Sequence, residues 1–363
     1  RTARPRYQSP AVYLLVPDSH RFGAHSDALH GALARAANWL LSCNASFGVL
    51  NEEALERLPA SCRALVWPLP YCPTDDSFAR VRRFVEAGGA LLLTGDVRFG
   101  EDRRPDRLGR LQELGLPAAA GAPRPPFPPD AGLSREVATG ACGKGSVSWV
   151  PFPLELDGNA AGSALYRAFL DRAGVARLRL DPDDGSVHAF DVPVVDGAAL
   201  VLYNDSAIRR NVVVSGSAAA GRLDVELDGR STGYVLVAGG RVLAAEGDGR
   251  VAVDGRVVLQ GEGHGAVVAL DGADLAASGL RLVLPFGPGK AILPVAPGQP
   301  APAVEIGEFR GGQWQTLGSE SPTAGGVALV IDAGAPFDLR LVAAPERLPE
   351  ARRAAERLLS RKP

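Results

Sequence analysis

The amino-acid sequence predicts a doubly wound α/β domain followed by antiparallel β-sandwich domains, and three observations carry that prediction. Up to about residue 175, short apolar runs of parallel-strand type alternate with segments of helical periodicity. Beyond that point the texture changes to short strands of alternating polarity separated by Gly and Asp turns. The composition, 43 Gly and 29 Pro in 363 residues against 12 Phe, 6 Tyr and 4 Trp, requires many turns and short elements. A chain of this length exceeds one ordinary core, so two or three domains are expected.

Taken in order, Ala11 to Val16 is a near-continuous apolar run closed by Pro17 and Asp18, as expected of a strand buried on both faces. From Ser26 to Leu41, Leu29, Leu33, Ala36, Ala37, Leu40 and Leu41 recur at helical spacing, with Ser26 or Asp27 available to cap the start. Phe47 to Leu50 reads as a short second strand, Glu52 to Leu58 as a short helix, and Ala64 to Leu69 as a third apolar strand. A helix over Asp75 to Glu86 places Phe78, Val81, Phe84 and Val85 on one face and ends at Gly88 and Gly89. Ala90 to Thr94 is the fourth strand. Repeats of strand, helix and strand at this length need right-handed crossovers, hence helices on both faces of one sheet. A Pro-rich stretch (Pro123 to Pro129), a strand at Gly145 to Val150 and a helix around Ala161 to Arg172 complete the domain.

The sandwich strands include Leu200 to Tyr203, Arg222 to Leu227, Gly233 to Val237 and Gly265 to Leu270. Pro294 to Pro302 reads as a linker, Ala303 to Leu341 as a further small set of strands, and Glu346 to Ser360 as a charged amphipathic helix. The expected organisation is an α/β domain over 1–175, a sandwich over 176–294, a small β domain over 295–343 and a terminal helix over 344–363.

Composition excludes several function classes. The 39 basic and 41 acidic residues are mixed along the chain and sum to −2, so no stripe for nucleic acid stands out. No apolar run approaches the roughly 18 residues of a membrane span, and Arg1 to Pro10 lacks a signal-peptide core. A cytoplasmic location is expected, with a signal peptide upstream of Arg1 as the alternative. The sequence contains no Met, even at position 1, so it is expected to be a piece of a longer protein or a processed product. Cys43, Cys62, Cys72 and Cys142 form no CxxC pair and are expected as free thiols, a disulfide being the alternative.

In a doubly wound sheet, ligands bind beyond the carboxyl ends of the strands. The residues placed there are Asp18, His20 and Arg21 after the first strand, Tyr71, Cys72 and Asp75 after the third, and Thr94, Gly95, Asp96 and Arg98 after the fourth. Asp18, His20, Tyr71, Asp75, Asp96 and Arg98 are the candidate ligand set: carboxylates would accept sugar hydroxyls while Tyr71 stacks on a ring face. The structural alternative is ordinary strand-to-helix turns, with Asp75 capping a helix.

Other chemistries lack their spacing. The first strand runs into Pro17 to Gly23 without GxGxxG, and Gly143-Lys144 and Gly289-Lys290 lack the upstream Gly of a phosphate loop. No GxSxG elbow occurs. His20, His25 and His30, five apart, do not share a helix face as metal ligands would. The window opened by Asp181 to Gly185 reaches Val192 where a calcium loop needs Glu, so it reads as a turn. No catalytic residue, metal or cofactor is expected in this chain.

Three segments, Ala64 to Tyr71, Arg83 to Gly89 and Leu91 to Asp96, together resemble the glutamine-amidotransferase-like domain of glycoside hydrolase family 42 β-galactosidases and related cellulase-like enzymes. Trp149 to Leu156 resembles the closing strand of that domain, and Leu270 to Ser278 with Leu284 to Gly289 resembles the β-rich tail of the same proteins. The resemblance implies a flavodoxin-like, class I amidotransferase-like domain that follows a catalytic barrel and serves as a trimerisation domain. It implies a homotrimer, and a partner barrel in the same or another chain. The resemblance would place a nucleophilic Cys in the turn after the fourth strand; here that turn is Thr94-Gly95-Asp96, and Cys72 sits one strand earlier. The expected function is therefore the non-catalytic C-terminal portion of a bacterial glycoside hydrolase. The alternatives are a stand-alone carbohydrate-binding or interaction protein using the crevice near Tyr71 and Asp96, and an independent hydrolase acting through Asp18, Asp75 or Asp96.

Overall fold

The structure, a computed structural model, describes residues 8–18, 25–119, 121–127, 132–157, 161–275, 279–285, 289–293, 301–320, 327–331 and 339–360. The chain divides after Arg177 into two compact units.

In the α/β unit the elements are β1 (Val12–Val16), α1 (Ser26–Ser42), β2 (Phe47–Asn51), β3 (Ala64–Pro68), α2 (Asp75–Glu86), β4 (Ala90–Thr94), α3 (Arg110–Glu113), β5 (Ala138–Cys142), β6 (Gly145–Val150), α4 (Leu154–Asp157) and α5 (Ala161–Arg172). A 3-10 turn, Glu52–Arg57, takes the place of the short helix expected after β2. The sheet order is β2-β1-β3-β4-β6-β5, parallel except for β5, which runs antiparallel to β6.

The strands read as apolar runs because both faces are covered. On one face Val12, Leu14, Val66 and Leu92 pack with Ala36 and Leu40 of α1 and Tyr166 and Phe169 of α5. On the other, Leu15, Leu65, Trp67, Leu91 and Leu93 pack with Phe78, Val81 and Val85 of α2. The chain steps outward from β1 to β2 and returns to β3, so the topological switch point lies between β1 and β3, where a crevice is expected in open α/β sheets.

Two cap assignments differ from expectation. The N-cap of α1 is His25, leaving Ser26 and Asp27 inside the first turn. Thr74 caps α2, its Oγ1 accepting from the Ser77 amide at 3.0 Å, and Asp75 stands one position inside. Asp75 is thereby free to point away from the helix end.

The second unit contains β7 (Arg179–Asp181), β8 (Val187–Val194), β9 (Gly197–Asn204), β10 (Arg210–Ser215), β11 (Arg222–Leu227), β12 (Thr232–Ala238), β13 (Arg241–Gly247), β14 (Val251–Val253), β15 (Arg256–Leu259), β16 (Gly265–Ala269), β17 (Arg281–Pro285), β18 (Gly289–Leu293), β19 (Ala303–Arg310), β20 (Gln313–Glu320), β21 (Val327–Ile331), β22 (Leu339–Ala343) and α6 (Leu348–Leu359). A five-stranded sheet, β15-β14-β11-β10-β7, and a nine-stranded one, β20-β19-β22-β17-β16-β13-β12-β9-β8, enclose one core; β18 and β21 pair separately. The core takes alternate residues of each strand, such as Val212, Val214, Leu223 and Val225 from the smaller sheet and Ala189, Leu200, Leu202, Val235 and Val267 from the larger. The strands beyond residue 303, expected as a small set of their own, contribute β19, β20 and β22 to the nine-stranded sheet through the pairing of β22 with β17. Most of the linker expected at Pro294 to Pro302 lies outside the described residues.

The small residues Ala351, Ala354 and Ala355 let α6 approach closely over Leu282, Leu341 and Ala343. Glu305 of β19, almost fully buried, fixes that helix: it accepts from Arg352 Nε at 2.8 Å, from Trp314 Nε1 at 3.0 Å and from Thr316 Oγ1.

Candidate functional site

Beyond the carboxyl ends of β1, β3 and β4, the polar side chains fall into separate bonded groups. Asp18 joins the first through its backbone: its amide donates to Glu52 Oε2 at 3.3 Å. Glu52 also accepts from Trp67 Nε1 at 2.9 Å. Glu52 is 1% exposed, and desolvation pushes its pKa up to about 7 against the lowering effect of the Trp67 and Asp18 hydrogen bonds.

Asp75 forms the second group. It accepts from Arg107 Nε at 2.8 Å and Nη2 at 3.0 Å, and from Arg110 Nη2 at 2.7 Å. Those guanidinium bonds hold its carboxyl down at about 2. Arg110 is itself buried and donates to the carbonyls of Val97, Phe99 and Pro73, so it cross-links the β3 and β4 loops. Tyr71 lies edge-on to Phe99, with centroids 4.9 Å apart. Its neighbour Cys72, in the left-handed region at φ 62°, has its thiol pushed up to about 11 by burial, opposite to what a nucleophile needs.

The third group is Asp96 and Arg98, paired through Nε at 2.9 Å and Nη2 at 2.8 Å, with side chains 11% and 9% exposed. Asp96 also accepts from the amides of Arg98 and Arg124, and Arg98 Nη1 donates to the Gly121 carbonyl. The structure therefore brings Asp75 and Tyr71 into one neighbourhood through Arg110 and Phe99, while Asp96 and Arg98 bind each other. His20 and Arg21 lie outside the described residues.

The switch point itself is apolar. The chain leaves β3 through Leu69, a bulky residue at φ 50° that is 1% exposed. A strained strand-to-helix turn is where a nucleophile elbow would stand. Here Leu69 packs against Leu29 and Ala32 of α1, Phe127 and Leu156. Its amide donates to Thr94 Oγ1 at 3.2 Å, and Thr94 donates to Glu155 Oε2 at 2.8 Å. Tyr166 donates to Glu155 Oε1 at 2.6 Å, and Arg35 to the Glu155 carbonyl. Burial raises the pKa of the fully buried Glu155, against the lowering by Tyr166 and Thr94, and raises that of Tyr166 well above the usual phenol value. This relay anchors the strained turn to β4, α4 and α5.

Glu52, Glu155 and Tyr166 are the residues that sequence reasoning missed. The one local hint for Glu155 is its place between Leu154 and Leu156 after a Trp-Val-Pro-Phe-Pro run, which puts an acid in an apolar stretch without naming the partners that bury it. His25, one of the evenly spaced histidines, stacks on Phe127 at 4.4 Å. Among the described residues no group of three His, Cys, Asp or Glu could hold a metal, and all four cysteines are free. In the second unit, His264 Nδ1 lies 2.8 Å from Asp248 and Nε2 3.0 Å from Glu246.

No family model matches the sequence, and no curated protein matches it. Solved structures that align with parts of this chain include a catalytic mutant of Gan42B, a GH42 β-galactosidase from G. stearothermophilus, at 13% identity and TM-score 0.43, over 62% of this chain and 40% of that one. They also include the β-galactosidase of Halorubrum lacusprofundi, at 16% identity and TM-score 0.43 over 67% and 41% of the two chains. A rhamnosidase from Novosphingobium sp. PP1Y aligns over 94% of this chain and 35% of its own, at 13% identity and TM-score 0.41. The matched segments span about two fifths of the length of these galactosidases.

Proposed function

We infer that this chain is the non-catalytic C-terminal portion of a bacterial glycoside hydrolase of the β-galactosidase or cellulase-like kind. In that reading its flavodoxin-like, amidotransferase-like α/β unit supports a homotrimer and helps to shape the sugar site of a catalytic barrel. The observation that carries the non-catalytic part is Leu69. The strained turn at the switch point holds a buried apolar side chain where an elbow chemistry needs a nucleophile, and its amide is committed to Thr94. Asp75 and Asp96 are bound to guanidinium groups, and Glu155 is buried in the core. The glycosidase part is supported by the motif series at Ala64 to Tyr71, Arg83 to Gly89 and Leu91 to Asp96.

The coding sequence upstream of Arg1 tests this directly. A barrel with a pair of carboxylates is expected, and a stop codon would sink the reading. This chain alone should leave aryl glycosides intact, whereas turnover abolished by Asp96→Asn would assign the chemistry to it. Sedimentation of the full-length protein at micromolar concentration should give a trimer; a strict monomer removes the assembly role.

A further inference from the structure

Among the described residues, the outer face of the nine-stranded sheet is covered over part of its width only. Ala189, Leu200, Leu202, Val235 and Ala245 enter the core, so by alternation Phe190, Val201, Tyr234 and Glu246 point the other way. These four form one cross-strand row, Phe190 opposite Val201, Val201 opposite Tyr234 and Tyr234 opposite Glu246. Tyr203 stands two residues along β9 from Val201, on the same face. Towards β17 and β22 this face is buried beneath α6. At the β8 end Phe190 is 37% exposed, and Tyr203 and Tyr234 are half-buried.

Strands lie about 4.8 Å apart and advance about 3.4 Å per residue, so the three aromatic side chains share a platform of roughly 10 by 7 Å. Its margin is polar. Tyr203 Oη lies 3.5 Å from Asp205 Oδ1, and Glu246, 32% exposed, sits at the end of the row beside His264. Rings edged by hydroxyl and carboxylate groups suit a ligand whose faces are apolar C–H and whose rim is hydroxyl. A protein interface core is instead depleted of such charges. We propose that this platform binds a saccharide, Phe190 and Tyr234 stacking on pyranose faces and Glu246 accepting hydroxyl hydrogens. The proposal is independent of the crevice near Tyr71 and of any upstream barrel.

Affinity electrophoresis of the full chain through gels containing soluble β-1,4-galactan, glucomannan, xylan or starch tests it. Retardation by at least one polysaccharide is expected. It should weaken at least tenfold in Tyr234→Ala and in the surface variant Phe190→Ala, both at unchanged melting temperature, and persist in Tyr71→Ala. Unaltered migration in all four gels, or binding that survives both platform substitutions, overturns the proposal. So does self-association abolished by Phe190→Asp in a protein that binds none of the four, which would assign the face to a second copy of the chain.

Discussion

Single buried carboxyls at the carboxyl end of the α/β sheet, Glu52 above all, should make its stability depend on pH. Glu52 titrates near 7 in the folded unit and near 4.5 when unfolded, so between those values the folded state keeps a proton that the unfolded state has lost. Stability contributed at this site is therefore full below about 4.5 and declines as pH rises through 7, by about 3 kcal/mol at 1.36 kcal/mol per pKa unit. Urea unfolding of the α/β unit at pH 5 and pH 8 should show that decline, to which the buried Glu155 adds with the same sign, and Glu52→Gln should make it shallower; an equal slope in the variant would refute the assignment. Tyr166→Phe removes one of the two side-chain donors to the Glu155 carboxyl and should cost about 1 to 3 kcal/mol in the same measurement. These carboxyls escaped sequence reasoning because an acid's burial depends on partners distant in the chain, such as Thr94 for Glu155.

At the level of elements, contacts made by small residues and buried ions decide the outcome. Gly145 opens β6 where a Cβ would stand 2.2 Å from the carbonyl oxygens of Val85 and Gly89, backbone atoms that cannot yield. Gly145→Ala should lower stability by roughly 3 kcal/mol, read by thermal unfolding, because the strand or the end of α2 must shift. Arg352→Ala would leave Glu305 buried with neutral donors only and should destabilise the α6 contact by about 3 kcal/mol. Since Arg352 and its companions hold the Glu305 carboxyl below its usual value, that stability is present above the unfolded pKa and lost as pH falls through the folded one. Acid unfolding should begin at higher pH in the variant. The strands β3, β4, β6 and β11 and the helices α2 and α5 were legible from periodicity, whereas the cap of α1 was not. His25 takes the cap position without a side-chain bond, so the usual cap residues Ser26 and Asp27 placed the start of the helix one or two residues too late.

Over the whole molecule, composition and texture made the change from α/β to β-rich structure legible, because parallel and antiparallel sheets bury different numbers of faces. The joining of β19, β20 and β22 to a sheet begun by β8 was not legible, since strand order is set by long-range pairing that periodicity does not encode. The α/β unit draws its core from its own residues, so residues 8–177 expressed alone should melt cooperatively by circular dichroism. A large sheet that ends at β8 presents a template for unwanted strand addition. Phe190 and Val192 would favour that addition, but Pro193 cannot donate to a new strand, and Asp191 stands on the inward side opposite Leu200, where burial raises its pKa. If these two residues keep the edge from pairing, Asp191→Val should raise light scattering on gentle heating well below the unfolding midpoint of the native sequence.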